Sequence, residues 1–288
     1  MNEALSNTGI RALDIFLGGG LPQGFCTLLL APSGSGSEIF AKQFAANHPH
    51  ERGIYVSTDE SRNEVLATTR SARWDMENVS IVDLQSEFAD AMMEAQQANL
   101  EHKPARFMID DPEPAQPKRR FDPRALVEGT DSTDLLRRRV AQGQVDVPEK
   151  GNTRKRTSMD TDYLGRLIDP FAKLRTPDRM VVHSVDFFLN LYPIEQVVAS
   201  LTALKAANAK AGGQLLLVLA KGAHGQQVER RLELLADCLI ELEMQRNGTK
   251  FDRFFMVKKV KNRTTGVGVS TYEVGPDGFS LETLERIV

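Results

Sequence analysis

Between Thr8 and Phe44 the chain reads TGIRALDIFLGGGLPQGFCTLLLAPSGSGSEIFAKQF. A glycine-rich turn, an apolar run, a second glycine-containing loop and an amphipathic segment follow one another. That order gathers backbone N–H groups at the start of a helix, where unpaired donors and the positive end of the helix dipole hold an anion such as a phosphate. The candidate cradle is Ser33, Gly34, Ser35, Gly36, Ser37 and Glu38, entered through Ala31 and Pro32. A second cluster, Asp59-Glu60-Ser61, follows another apolar run and could also do no more than cap the next helix. His183 ends a third apolar run; taken alone, it reads as a hydrogen-bonded residue at a strand end, and no metal site is expected there.

The elements that must hold these residues alternate. Phe25 to Ala31, Gly53 to Ser57, Val79 to Leu84, Met180 to Val185 and Gln214 to Ala220 are short apolar runs of the kind found in buried strands. Segments of helical period fit between them, clearest at Ile194 to Lys210, where Ile194, Val197, Val198, Leu201 and Leu204 mark one apolar face. From Cys238 onward, three strand-like runs follow without helices between them. The expected fold class is α/β: a mostly parallel sheet flanked by helices, with an antiparallel C-terminal extension.

Residues 103–160 break the pattern. They carry six of the 13 prolines, no sustained apolar period and the basic clusters Lys118-Arg119-Arg120, Arg137-Arg138-Arg139 and Arg154-Lys155-Arg156. We expect a flexible, charged, proline-containing insertion there, in a single core formed by residues 1–102 and 161–288. The whole chain has 288 residues, is 41% hydrophobic and 26% charged, and sums to −3, so no global basic field marks a nucleic-acid or membrane partner. No apolar run reaches membrane-helix length, and the opening MNEALSNTGI lacks the order of a signal peptide. A cytoplasmic protein is expected, with no membrane contact and with Cys26 and Cys238 as reduced core thiols.

The segment Thr8 to Phe44 resembles the KaiC and RadA branch of the RecA superfamily of P-loop ATPases, whose members read TGIxxLDxxLGGGxPxG, an apolar strand and then a GPPGTGKT-like loop. Against that pattern Ser37 stands at the lysine and Glu38 at the Ser or Thr. Ser37 gives a hydrogen bond but no charge to a phosphate, and nothing holds magnesium through a hydroxyl at Glu38. The Glu38 carboxylate, favoured by the helix dipole, is expected to fill the anion position itself and repel a triphosphate. Asp59 and Glu60 match the family's acidic pair, which orients or deprotonates the attacking water. His183 stands where the resemblance implies a Walker B Asp, and imidazole is a poor ligand for magnesium. Strand parity points Asp186 to the opposite face, so it stands in for His183 only if the chain bends there. Lys259 and Lys261 match basic positions that in ring-forming relatives reach a neighbouring subunit's nucleotide, although an edge strand dotted with lysines reads the same way.

The resemblance therefore implies a degenerate ATPase acting as a regulatory or assembly module. No cofactor is expected, ATP with magnesium being weak at best, and a protein partner or self-association into a ring or filament is. Two alternatives stay open: a working KaiC-like ATPase with an atypical site, and a RadA-like recombinase paralogue binding single-stranded DNA. The latter would use the basic clusters of residues 103–160 and the loop Lys221 to Gln227.

Overall fold

The structure, a computed structural model, describes residues 4–101, 161–172, 177–263 and 266–282. The chain divides into two compact units, residues 1–91 with 161–288 and residues 92–160. The proposed insertion at 103–160, with its basic clusters, lies outside the described residues. The first unit holds the sheet. It opens with β1 (Leu5–Ser6), α1 (Arg11–Phe16) and β2 (Leu21–Pro22), followed by β3 (Cys26–Ala31), α2 (Ser37–Ala45), β4 (Gly53–Ser57), α3 (Arg62–Ser71), β5 (Val79–Asp83) and α4 (Leu84–Glu101). After 160 come α5 (Tyr163–Ala172), β6 (Arg179–His183), α6 (Asp186–Leu191), α7 (Ile194–Ala211), β7 (Gln214–Ala220) and α8 (Gln226–Leu235). The C-terminal strands are β8 (Cys238–Asn247), β9 (Lys250–Val260), β10 (Gly268–Gly275) and β11 (Gly278–Leu281).

Nine of these strands form one sheet in the order β11-β10-β9-β8-β3-β7-β6-β4-β5. Pairing is parallel from β8 through β3 to β5 and antiparallel from β8 out to β11. This is the expected mostly parallel sheet with an antiparallel extension. Two boundaries differ from the sequence reading: the sixth strand stops at His183 rather than running to Val185, and the fifth ends at Asp83 because Leu84 opens a helix.

The sheet is buried on both faces, which is why its central strands read as continuous apolar runs. Cys26, Leu28, Leu30, Val182 and Leu217 point to the face covered by α5, α6, α7 and α8, where Leu167, Phe188, Val197, Leu201 and Leu232 meet them. Leu29, Tyr55, Val181, Leu216 and Ile240 point the other way, to Phe40 and Phe44 of α2 and to Tyr272 and Phe279 of the extension. Each such side chain contributes roughly 1.5–3 kcal/mol by leaving water. Cys26 and Cys238 fall in opposite layers, so both stay free, and burial pushes each thiol up to about 12. No helix of the described residues is long and apolar enough to cross a membrane.

Candidate functional site

A cleft of about 290 Å³ opens at the carboxyl ends of β3, β4, β6 and β7, the end of an open α/β sheet where ligands bind. One wall is the glycine loop after β3. Gly34 (φ 78°) and Gly36 (φ 87°) adopt left-handed backbone, which lets the chain turn back on itself and start α2 at Ser37. No side chain caps that helix; the Ile39 and Phe40 N–H groups donate to the Gly36 carbonyl, which leaves those of Ser37 and Glu38 for an anion. Ser33, Gly34, Ser37 and Glu38 all line the cleft. Ser35 does not: it is fully buried, and its carbonyl accepts a 2.8 Å hydrogen bond from the Tyr272 hydroxyl of β10. The antiparallel extension thus buttresses the loop from behind, a second contact being Val274 against Gly36.

The Glu38 carboxylate does not fill the anion position as expected. It accepts no hydrogen bond among the described residues. It lines the cleft, and its charge acts on the phenols of Tyr55 and Tyr272. Burial is the main cause that raises both phenols, Tyr272 to about 12, with the Glu38 charge adding to it.

Asp59 and Glu60 form the opposite wall, carried by the turn between β4 and α3. Capping of α3 falls to Ser61, whose hydroxyl accepts from the Glu64 N–H while the Glu64 carboxylate accepts from the Ser61 N–H. Neither acid is needed as a cap, and both face the cleft. The turn is tied to the end of β6: the Thr58 N–H donates to the His183 carbonyl at 2.9 Å, and the Ser184 N–H donates to Thr58 Oγ1 at 2.7 Å. His183 is consequently not a lone residue. Its Nδ1 lies 2.9 Å from Asp59 Oδ1, its ring stacks on Tyr55 with centroids 6.3 Å apart, and it is 4% exposed.

The bend left open for Asp186 is present: the chain leaves the strand at Ser184 and turns into α6. Asp186 therefore lines the same cleft as His183. Its carboxylate is engaged there, accepting from the Ala220 N–H at 3.0 Å and lying 2.9 Å from His224 Nε2.

Lys42 escaped the sequence reading. It sits in α2 among Phe40, Ala41 and Phe44, is 1% exposed, and its ammonium donates to Glu60 Oε1 at 2.7 Å. The available signal was a lysine on the buried face of an amphipathic helix, which demands a charged partner. The second oxygen of that partner, Glu60 Oε2, is buried without a hydrogen-bond partner, as is the Tyr55 hydroxyl. The remaining basic candidates lie outside the cleft lining. Lys259 donates to the Glu233 and Ala236 carbonyls at the end of α8, at 3.2 and 2.6 Å. Lys261 is 55% exposed, with its ammonium 3.5 Å from Asp237. Lys221, in the loop after β7, is paired with Glu241 and Glu243.

With this geometry in place, similarity to known proteins is informative. A family model described as the KaiC ATPase matches residues 6–129. The circadian clock oscillator protein KaiC of Prochlorococcus marinus (strain MIT 9313) is 35% identical over 75 residues, 25% of this chain and 15% of that protein. The circadian clock protein KaiC2 of Synechocystis sp. (strain ATCC 27184 / PCC 6803 / Kazusa) is 35% identical over 75 residues, 25% of this chain and 13% of that protein. The chain thus matches about one-seventh of the length of these curated relatives. Among solved structures, a KaiC-like protein from Pyrococcus horikoshii OT3 superposes with a TM-score of 0.60 at 18% identity, covering 98% of this chain and 100% of the other. That last likeness is one of fold.

Proposed function

The chain belongs to the KaiC/RecA-like family of P-loop ATPases, and from that premise we propose that it is a catalytically degenerate member with impaired nucleotide binding, acting as a regulatory or assembly module. The observation that carries the reading is the Lys42–Glu60 ion pair. The buried Lys42 ammonium is directed at the carboxylate that would activate water, and among the described residues no Lys or Arg lines the cleft beside the loop that would hold phosphate. A general base must be free to take a proton; one Glu60 carboxylate oxygen is already occupied by the Lys42 ammonium at 2.7 Å.

The residues present do not fit a magnesium triphosphate. Ser37 and Glu38 offer a hydroxyl and a carboxylate to the phosphate side, and His183 offers an imidazole where a hard cation needs oxygen. Phosphoryl-transfer enzymes obtain most of their rate from positive charge at the transferring group, so hydrolysis of magnesium-ATP by the full chain should stay at background. Turnover well above background, abolished by Glu60→Gln, would overturn the reading.

An active ATPase with an atypical site draws on one observation, that Asp59 and Glu60 both line the cleft; the same assay decides it. For a ring or filament in which one copy completes its neighbour's site, Lys261 is the basic residue with an exposed ammonium, Lys259 being engaged within its own chain. Binding of single-stranded DNA is the less favoured alternative, since Lys221 of the loop after β7 is already neutralised by two glutamates.

A further inference from the structure

The geometry points to a binding site for a divalent transition ion of zinc-like chemistry, formed by Asp59, Glu60 and His183. One ligand atom from each of the three lies within 4.8 Å of the other two. The tightest pair, His183 Nδ1 and Asp59 Oδ1, is 2.9 Å apart. Ligand atoms about 2.0–2.1 Å from a four-coordinate ion sit about 3.3 Å from one another. Closing the triad on an ion therefore needs side-chain movement of no more than about 1.5 Å between any two ligand atoms, and the Asp59 side chain, 52% exposed, is free to adjust.

Two independent features mark unmet polar groups beside the triad. Glu60 Oε2 is a buried acceptor with no hydrogen bond; Lys42 satisfies only Oε1. Such an orphan oxygen is destabilising unless something pairs with it. Tyr55, fully buried with its ring against His183, likewise has an unpartnered hydroxyl. Glu38, on the facing wall of the same cleft, adds a third carboxylate to those of Asp59 and Glu60. Against these, Lys42 contributes one positive charge, which lowers affinity but leaves Oε2 free.

The donor set selects the class of ion. An imidazole nitrogen with two carboxylate oxygens suits zinc, cobalt or manganese, whereas magnesium prefers oxygen throughout and keeps its waters. Three protein ligands in a solvent-facing cleft leave a fourth position for water or for an anion held by the N–H groups of the glycine loop. The same exchange of Asp for His that disfavours magnesium therefore favours a softer ion. The site requires no nucleotide, so its failure would leave the degenerate-ATPase reading untouched, and the reverse also holds.

The test is calorimetric titration of the nucleotide-free full chain with zinc, and in parallel with magnesium, alongside the visible absorption of added cobalt. We expect one equivalent of zinc bound at least tenfold more tightly than magnesium, with a cobalt band of a low-coordinate site. Asp59→Asn and His183→Asn should each weaken zinc at least tenfold and abolish the band, while His48→Gln and His224→Gln leave both unchanged. Should His183→Asn fail to fold, Asp59→Asn on its half-exposed side chain decides the matter together with Glu60→Gln. No saturable binding, binding indifferent to Asp59→Asn, or binding that follows His48 or His224 would each overturn the proposal.

Discussion

Lys42 and Glu60 face each other at 2.7 Å across the junction of α2 and the β4–α3 turn, the lysine 1% and the glutamate 24% exposed. Thr68 of α3 lies 3.4 Å from the same ammonium. The pair joins the helix that follows the glycine loop to the turn that carries the acids, so both walls of the cleft depend on it. Removing one member of a buried pair strands the other charge. Lys42→Met should therefore cost about 2–4 kcal/mol, toward the lower end because Glu60 keeps some contact with water. Lys42→Met with Glu60→Gln should recover much of that loss. Chemical denaturation of the two single variants and the double variant measures the coupling, and additive losses would mean that the pair is not the connecting element.

The two glycines of the loop separate backbone strain from packing. A Cβ at Gly34 would meet nothing within 4 Å, whereas one at Gly36 would lie 2.6 Å from Val274 Cγ2 of β10. Both have positive φ. Gly34→Ala should cost about 1–2 kcal/mol for left-handed backbone alone, and Gly36→Ala about 2–4 kcal/mol, with the clash added. Equal losses in thermal unfolding would mean that β10 yields to the intruding methyl and does not brace the loop.

Because the Glu38 carboxylate accepts no hydrogen bond, Glu38→Thr should change stability by no more than about 0.5 kcal/mol. Ser37→Lys combined with Glu38→Thr restores a cation and removes a repelling anion, and should raise affinity for pyrophosphate at least tenfold in calorimetry. A large destabilisation by Glu38→Thr would revive the view that this carboxylate occupies the anion position.

His48 gives the fold an acid sensitivity. Burial, reinforced by the Arg179 guanidinium, depresses its pKa from 6.5 to about 4, with the Glu51 carboxylate opposing the shift. Between those values the unfolded chain binds a proton that the folded chain refuses. Stability is therefore complete above about pH 6.5 and declines as pH falls toward 4. Melting temperature measured over this range should drop less steeply in His48→Gln, and parallel profiles would count against the assignment.

Lys259 is a structural cap. Its ammonium holds the Glu233 and Ala236 carbonyls at the C-terminal end of α8, where a cation also complements the helix dipole. Lys259→Met should cost about 1–2 kcal/mol in the isolated chain. A residue acting only on a neighbouring copy would leave the unfolding of the isolated chain unchanged.

Much of this was legible in the order of residues. Alternating apolar runs with helical segments between them can be buried on both faces only by a parallel α/β sheet, and the sequence alone carried that, together with the three unbroken C-terminal runs that became the antiparallel extension. The glycine loop could be read because left-handed backbone at a helix start calls for glycine. Asp59, Glu60 and His183 were visible as strand-end polar residues, but only the fold decided that they meet. β4 and β6 are neighbours in the sheet although 121 residues separate Ser57 from Arg179, and strand pairing at that range is set by packing that no local pattern records. Parity left Asp186 undecided because period-two reasoning ends where the strand does, and only the fold shows the bend. Lys42 and Tyr272 were hidden for the same reason: a side chain's partner belongs to another element, so local sequence can show that a charge or hydroxyl is buried, and the tertiary structure alone decides what it touches.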